Sequence, residues 1–249
     1  MELIVLGSCG TWAVPDRANS GYLIRHDGHA LWVDLGSGTL ANLQRHADLH
    51  EIDAVVISHS HPDHMVDLYP YFYARHYGLQ LPPGTPLFAP PGLINRAVAL
   101  LSEESALDLA RTFSITEVEP GNSFGTGPFS VRTAPMAHPV PTLGMRIEAD
   151  GATIAYTADT GPTEEIDTIA AGADLLLAEA TWQEDGTFRP PLHLTAKQAG
   201  EAATRTGAGR LVLTHIWPTL DLEQSRGEAA ERFEGDVQVA MDNTVLEVG

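Results

Sequence analysis

The sequence predicts an α+β fold in which two β-sheets are buried against each other and each is covered by helices on its other face. Strand-like segments come first and then alternate with helical segments, and the same order recurs in the second half of the chain. Hydrophobic residues make up 43% and charged residues 19% of the 249 residues, which supplies ample apolar material for a core. Because no linker or low-complexity segment divides the chain, we expect residues 1–249 to form a single domain.

The first part of the chain begins like an antiparallel meander. Three apolar or alternating runs predict strands at residues 2–7, 21–26 and 30–36. Asp27 and Gly28, between the second and third runs, form a hairpin signal. Residues 37–49 then have helical spacing, and residues 53–58 return to a buried strand.

The middle of the chain contains helices followed by a second block of strands. Residues 65–78 are predicted to be helical, with Pro70 either kinking the helix or marking its start. A short strand and a helix with Pro91 near its N-terminus come next, and alternating segments from residue 114 predict the second strand block. The remaining predicted elements are helices near 162–171, 195–207 and 221–233, and strands at 174–180, 210–215, 237–241 and 244–248.

The chain is strongly acidic, with 33 acidic residues, 14 basic residues and a formal net charge of −19. This charge repels polyanions, so extended nucleic acid is not an expected partner, although metal ions in a pocket can reverse the local sign for small anions. No apolar run is long enough to span a membrane and no secretory signal opens the sequence, so we expect a cytoplasmic protein without a membrane partner. The one cysteine, Cys9, cannot form an internal disulfide, which agrees with a reducing compartment.

Metal-binding and proton-transferring side chains directly follow the predicted buried strands. They are His59, His61, Asp63 and His64 in one loop, and His138, Asp159, Glu179 and His215 after later strands. His59 and His61 are two residues apart and can point to one side of an extended segment, whereas Asp63 and His64 can address a different point. The loop therefore favours two metal positions, and Pro62 stiffens it.

The motif H-x-H-x-D-H at residues 59–64, with the later histidines and aspartate in the same order, resembles the metallo-β-lactamase superfamily over essentially the whole chain. The resemblance implies a four-layer αββα sandwich with two divalent metal ions, usually Zn²⁺, with Mn²⁺ as an alternative. The implied ligands are His59, His61 and His138 for the first ion, Asp63, His64 and His215 for the second, and Asp159 as a bridge.

Within this superfamily, residues 179–182 (EATW), 193–203 (HLTAKQAGEAA) and 211–216 (LVLTHI) are similar to the branch that contains ribonuclease Z and bacterial cyclic-nucleotide phosphodiesterases. In that branch the histidine that matches His193 assists catalysis. The alternative is that His193 has no catalytic role and is only a structural residue beside the start of a helix. Glu179 is expected to orient His193 by a hydrogen bond, unless it is only a structural carboxylate at a strand end.

A phosphodiester is the expected substrate class, because its cleavage expels an alkoxide that a positioned proton donor can stabilise. The expected roles are support of the departing oxygen by His193 and orientation of the nucleophile's proton by Asp63. Zinc ligation alone would serve an amide, a thioester or a lactone equally well, and would not require the pair of Glu179 and His193.

A small phosphodiester, above all a 3′,5′-cyclic nucleotide such as cyclic AMP, is the expected substrate. Ribonuclease Z carries a long basic arm between its histidine motif and the next metal histidine, and residues 65–137 contain no such arm. The alternatives are a tRNA 3′-processing endonuclease, and a 2′,3′-cyclic phosphate esterase or a lactonase on the same site. Outside the enzymes, the alternative is a metal-bearing binding or carrier protein.

Aromatic residues near the predicted site could form a stacking wall for a base. The candidates are Tyr69, Phe72, Tyr73, Tyr77, Trp182 and Trp217. Trp182 and Trp217 are preferred because each adjoins a site loop, whereas the stripe at 69–77 also suits a core or a dimer interface. Members of this branch often form dimers, so a homodimer is a further expectation.

Overall fold

The computed structural model describes residues 1–184 and 190–249. Within these residues the strands form two sheets of seven strands each. In spatial order, the first sheet contains β14 (Val245–Glu247), β1 (Glu2–Gly7), β2 (Gly21–His26), β3 (His29–Val33), β4 (Ala54–Val56), β5 (Thr85–Ala89) and β6 (Phe113–Glu117). The second contains β13 (Asp236–Val239), β12 (Arg210–Thr214), β11 (Leu175–Glu179), β10 (Ala152–Tyr156), β9 (Leu143–Ala149), β8 (Phe129–Pro135) and β7 (Ser123–Thr126).

Helices cover the outer face of each sheet. The first sheet is covered by α1 (Thr39–Leu43), α2 (Pro62–Met65), α3 (Leu68–Tyr73), α4 (Leu93–Val98) and α5 (Glu103–Thr112), and the second by α6 (Glu165–Ala170), α7 (Ala196–Thr206) and α8 (Leu222–Ala230). A 3₁₀ turn at Leu49–Glu51 and a π-helical turn at Ala74–Gly78 complete the helical segments of the described residues. The predicted four-layer αββα sandwich is therefore confirmed. None of these helices has the length and apolar character needed to cross a membrane.

The alternation of side chains along the strands explains why the strands are apolar on both faces. In β1, Leu3 and Val5 point into the core between the sheets, whereas Ile4 and Leu6 point into the core beneath the helices. Tyr22 of β2 and Tyr156 of β10 meet across the first of these cores, with their ring centroids 5.1 Å apart. Burial of both sheet faces removes the polar alternation of a one-sided sheet.

Both predicted Asp-Gly turns join neighbouring antiparallel strands. Asp27 (φ 46°) and Gly28 (φ 75°) join β2 to β3, and Asp150 (φ 47°) and Gly151 (φ 85°) join β9 to β10. Left-handed values at both central residues are the geometry that favours Asn or Asp followed by Gly in two-residue hairpins.

The region after the histidine loop differs from the prediction in three respects. The single helix expected at 65–78 is divided among α2, α3 and the π-helical turn, and Pro70 lies in the first turn of α3, where its missing N–H costs no intrahelical bond. Helix α5 was not predicted. Strand β6, expected to open the second strand block, instead pairs in parallel with β5 at the edge of the first sheet.

Parallel strands bring the chemically active loops together. β3, β4 and β5 run parallel in the first sheet, and β10, β11 and β12 run parallel in the second. Loops that follow parallel strands lie at the same edge of a sheet, and the site forms where these two edges meet.

Candidate metal centre

The loop after β4 directs its side chains two ways because helix α2 begins directly after His61 in the sequence. His61 has an extended backbone (φ −76°, ψ 146°) and caps α2, which begins at Pro62, a favoured first position. Asp63 and His64 lie in the first turn of α2 and so point away from the direction of the extended residues before it. The change from extended to helical backbone gives the loop two directions, as its spacing predicted.

The first group of converging side chains consists of His59, His61, His138 and Asp159. The ring nitrogens of His59 (Nε2) and His61 (Nδ1) are 3.1 Å apart, and His138 Nε2 lies 3.0 Å from the same His61 atom. Asp159 Oδ2 is 3.5 Å from His59 Nε2 and 3.8 Å from His138 Nε2. The four ligand atoms lie within 4.8 Å of one another, so this group could hold one metal ion.

The second group consists of Asp63, His64 and His215. Asp63 Oδ2 lies 3.2 Å from His215 Nε2 and 3.9 Å from His64 Nε2. These atoms also lie within 4.8 Å of one another. A second ion could therefore be held beside the first.

Asp159 lies between the two groups and turns a different oxygen to each. Its Oδ2 faces the first group, while its Oδ1 lies 3.1 Å from His64 Nε2 and 3.4 Å from His215 Nε2. It is 2% exposed, so water is almost entirely excluded from the carboxylate. This is the arrangement a bridging carboxylate requires.

The donor atoms fit divalent metal ions. His64 Nε2 and Asp159 Oδ1 are buried 3.1 Å apart but form no well-aligned hydrogen bond with each other or with another described residue, although buried polar atoms are normally satisfied. Burial lowers the pKa of His59 well below its ordinary value and also lowers those of His61 and His138, which keeps these rings neutral. Neutral imidazoles and carboxylates are the ligands that such ions bind.

The second group lies in a strongly anionic environment. Burial lowers the pKa of His64, but the carboxylates of Asp159, Asp34 and Asp63 outweigh burial and raise it well above its ordinary value. Burial raises the pKa of Asp63, but the charges of His64 and His215 and a hydrogen bond from His215 hold it well below its usual range. Buried carboxylates of this kind attract cations.

Four of the histidines have their Nδ1 atoms held by the surrounding protein, which leaves Nε2 to face the centre. The Nδ1 partners are Ser58 Oγ for His59 (3.0 Å), Asp34 Oδ2 for His64 (2.8 Å), the Leu192 carbonyl for His138 (3.3 Å) and Thr181 Oγ1 for His215 (2.8 Å). Such contacts fix the tautomer and the ring orientation of metal-binding histidines. The site is thus preorganised by residues beyond the candidate ligands.

Asp34 is a site residue that the sequence analysis missed. It follows β3, is fully buried, and accepts hydrogen bonds from the Ser58 amide (2.6 Å), the Ser58 hydroxyl (2.7 Å) and the Tyr156 hydroxyl (2.8 Å) in addition to His64. Through Ser58 it also supports His59. Its position directly after an apolar strand is the signal that identified the other site residues, and it could have been found in the same way.

His193 and Glu179 form a hydrogen-bonded pair at the edge of the two groups. Glu179 is fully buried at the end of β11, and its Oε1 accepts from His193 Nδ1 at 2.8 Å. The Thr160 amide also donates to Glu179 Oε1 at 2.7 Å, and the Thr181 hydroxyl donates to Oε2 at 2.6 Å. Burial lowers the pKa of His193, but the Glu179 carboxylate outweighs it and raises the value to about 9.

The candidate aromatic residues separate into two sets. Phe72 is fully buried beneath the first sheet, the Tyr69 hydroxyl donates to the Ala97 carbonyl, and Tyr73 and Tyr77 stack on each other at the surface. Trp182, in contrast, adjoins the site: its ring meets His193 at 5.9 Å and Trp217 at 4.3 Å. The stripe at 69–77 therefore belongs to the helical layer, and the two tryptophans lie beside the candidate metal centre.

The sandwich with two converging histidine and aspartate groups at its edge defines the class of metal-dependent hydrolases with a metallo-β-lactamase fold. Residues 17–216 match the family model described as a beta-lactamase superfamily domain, and the chain belongs to this superfamily. The prediction that the protein is an enzyme of this kind is confirmed.

Similar proteins support the same assignment. The chain is 34% identical to an uncharacterised protein of Mycobacterium tuberculosis, over 100% of this chain and 92% of the relative. It is 33% identical to ribonuclease Z of Mycolicibacterium gilvum, over 97% of this chain and 94% of the relative. The crystal structure of the metallo-β-lactamase fold protein YhfI of Bacillus subtilis is similar to this chain with a TM-score of 0.89 and 29% identity, and covers 100% of this chain and 99% of YhfI. The predicted similarity to the ribonuclease Z branch is therefore also confirmed.

Proposed function

We propose that the protein is a two-metal phosphodiesterase that hydrolyses a small phosphodiester, with a 3′,5′-cyclic nucleotide such as cyclic AMP as the favoured substrate. The observation that carries this proposal is the hydrogen bond of 2.8 Å between His193 Nδ1 and Glu179 Oε1 beside the two groups of metal-competent side chains. It provides a positioned imidazole in addition to the atoms needed to hold metal. Such a group is useful where an alkoxide must leave.

The candidate ligands divide between two ions. His59, His61 and His138 would hold the first ion, Asp63, His64 and His215 the second, and Asp159 both. The mixture of imidazole and carboxylate donors suits Zn²⁺, with Mn²⁺ as the alternative. Two such ions, when bound, would polarise the phosphoryl oxygens and lower the pKa of an attacking water.

The protein's own groups would handle the protons. Asp63 Oδ2 accepts the Thr11 amide at 2.9 Å, which fixes the carboxylate where it can orient the proton of the nucleophile. Because Glu179 occupies Nδ1 of His193, Nε2 is the nitrogen that would donate to the departing oxygen. Glu179 acts as a positioning residue, since its contact with the reaction passes through His193.

Two observations favour a small diester over tRNA. The net charge of −19 opposes an extended polyanion, and the segment 65–137 is occupied by helices and strands instead of a basic arm. The 33% identity to a ribonuclease Z makes tRNA 3′ processing the second candidate.

A turnover panel on the purified, metal-loaded protein tests the proposal. The substrates are cyclic AMP, cyclic GMP, 2′,3′-cyclic nucleotides, bis(p-nitrophenyl) phosphate, a lactone and a precursor tRNA, and Asp159→Ala is the matched control. We expect hydrolysis of the cyclic nucleotides and of the synthetic diester, and its loss in the control. Preference for the tRNA would overturn the proposed substrate, and preference for the lactone would overturn the proposed reaction class. Metal binding without any turnover would indicate a binding or carrier protein.

A further inference from the structure

Three tryptophans form a continuous row that starts at His193 and ends at the protein surface. The centroid distances along the row are 5.9 Å from His193 to Trp182, 4.3 Å from Trp182 to Trp217, and 5.5 Å from Trp217 to Trp12. Trp12, the outermost member, comes from the loop after β1. It is 40% exposed, so part of its ring is open to a ligand.

The loop that carries Trp12 is attached to the candidate metal centre. The Thr11 amide donates to Asp63 Oδ2 at 2.9 Å, and the Gly10 amide donates to the Ile216 carbonyl at 3.2 Å. A Cβ atom at Gly10 would lie only 2.5 Å from the His215 carbonyl oxygen, so a glycine is needed for this close approach. The backbone beside Trp12 is therefore fixed relative to Asp63 and His215.

The same loop contains a strained residue. Thr11 has φ 63°, in the left-handed region that a β-branched residue rarely occupies. Strain of this kind is concentrated at ligand-binding and catalytic sites. The strained residue therefore lies between an exposed aromatic ring and a contact with Asp63 of the candidate metal centre.

We propose that the exposed ring of Trp12 is the platform on which the planar base of the substrate stacks, so that the diester cleaved at the metal centre is that of a nucleotide. This inference rests on the proposed phosphodiesterase function and adds the part of the substrate that lies outside the metal centre. Trp217 meets Trp12 at an angle of 65° and Trp182 meets Trp217 at 65°, so the two inner rings brace the outer one edge-on.

A stacking platform selects for an aromatic base more strongly than for a particular base, because every base has a π-face. We therefore expect similar kcat/KM for cyclic AMP and cyclic GMP. A cyclic diester that lacks any aromatic ring should be a poor substrate even though it carries the same phosphate.

The test compares cyclic AMP with the base-free analogue 1-O-methylribose 3′,5′-cyclic phosphate in wild type, Trp12→Ala and Trp12→Phe. For cyclic AMP we expect Trp12→Ala to lower kcat/KM about 5- to 100-fold, mainly through KM, since stacking on an aromatic side chain accounts for such factors. Turnover of the base-free analogue should be unchanged, and Trp12→Phe should keep most of the activity on cyclic AMP. Tyr73→Ala is the matched control, because Tyr73 is 44% exposed and its ring contacts Phe72 and Tyr77 in the helical layer.

Two outcomes would overturn the proposal that Trp12 is a stacking platform. Equal loss on both substrates would show that Trp12 only holds the loop that contacts Asp63, and an unchanged KM for cyclic AMP in Trp12→Ala would show that no base rests on it. In both cases the phosphodiesterase function would stand.

Binding of AMP to the metal-loaded protein, measured by isothermal titration calorimetry, separates the two proposals. If no diester is hydrolysed, the proposed function fails, while AMP binding that is weaker in Trp12→Ala than in Tyr73→Ala still supports the platform. Equal AMP binding in the two variants contradicts it.

Discussion

His64 donates through Nδ1 to Asp34 Oδ2 at 2.8 Å, and both side chains are fully buried. The same Asp34 oxygen accepts the Ser58 hydroxyl at 2.7 Å, and that hydroxyl lies 3.0 Å from Nδ1 of His59. One carboxylate therefore sets the orientation of a histidine in each of the two candidate metal groups. A residue that touches neither position can thus control both.

Asp34→Asn should weaken metal binding about 10- to 100-fold, the usual effect of losing a hydrogen-bond partner behind a metal-binding histidine. The amide cannot accept all the hydrogen bonds that the carboxylate accepts. Competition titration with a chromophoric zinc chelator measures the change. Asp53→Asn is the control. Asp53 also accepts a hydrogen bond from a backbone amide, that of Ala30, but it is exposed and precedes β4, whereas the histidine loop follows β4. Equal affinities in the two variants would contradict the role of Asp34.

His193→Ala should lower kcat on a cyclic nucleotide by about 10²- to 10⁴-fold without changing the metal content. The structure offers a competing role, because ligand atoms of Asp159, His193 and His215 also lie within 4.8 Å of one another. Metal analysis of the purified variant decides between the two roles. If one equivalent of metal is lost, His193 is a ligand. His76→Ala, at a histidine that contacts Thr112 in the helical layer, is the control.

Removal of metal by a chelator should lower the melting temperature. Ions that bind only the folded state stabilise it by about 2.7 kcal/mol per site when free metal is 100 times Kd. Without them, His64 Nε2 and Asp159 Oδ1 stay buried 3.1 Å apart without a well-aligned hydrogen bond. Thermal unfolding with and without added Zn²⁺ measures the difference, and Asp159→Ala should abolish it. A shift that survives in the variant would place the stabilising metal elsewhere.

Asp242 should make stability fall as the pH rises through weakly acidic values. Burial raises its pKa to about 6, although the Ala18 amide and Arg17 lower it. The folded state therefore binds a proton more tightly than the unfolded chain, so the stability from protonated Asp242 is complete below about pH 4 and is lost as the pH passes about 6.

Urea unfolding of wild type and Asp242→Asn between about pH 4.5 and about 7.5 isolates this contribution. The unfolding free energy of the variant, relative to wild type, should increase up to about pH 6 and then stay constant. Asp16, Arg17 and Arg45 also border the cavity that Asp242 lines, so the experiment compares variants at one ionic strength. If the unfolding free energies of wild type and Asp242→Asn run parallel across this pH range, the prediction is wrong.

The sequence contained the information for features that local chemistry determines. The Asp27-Gly28 turn was predictable because few residue pairs adopt left-handed backbone twice in succession, and the two directions of the histidine loop follow from spacing and Pro62. The sheet that receives β6 was not predictable, because its alternating pattern is compatible with either sheet and only packing decides.

The candidate site also contains some residues that the sequence could identify and others that only the fold brings to it. The metal-competent residues could be selected because they follow apolar strands, yet Asp34 was overlooked because the strand predicted at 30–36 runs through it, whereas β3 ends at Val33. Trp12 could not be placed beside the centre from sequence, since its position depends on the contacts of Gly10 with Ile216 and of Thr11 with Asp63. Long-range contacts of this kind leave no periodic signal in a single sequence.

The position of Asp159 has a consequence for how the centre fills. Since one carboxylate faces both groups, an ion that fixes its orientation for one group fixes it for the other as well. Under the proposed assignment the two affinities are linked reciprocally, so an ion in one position changes the affinity of the other position by the same factor in either order of loading. The two positions would then have to be titrated as one coupled unit, and no substitution at Asp159 could change one of them alone.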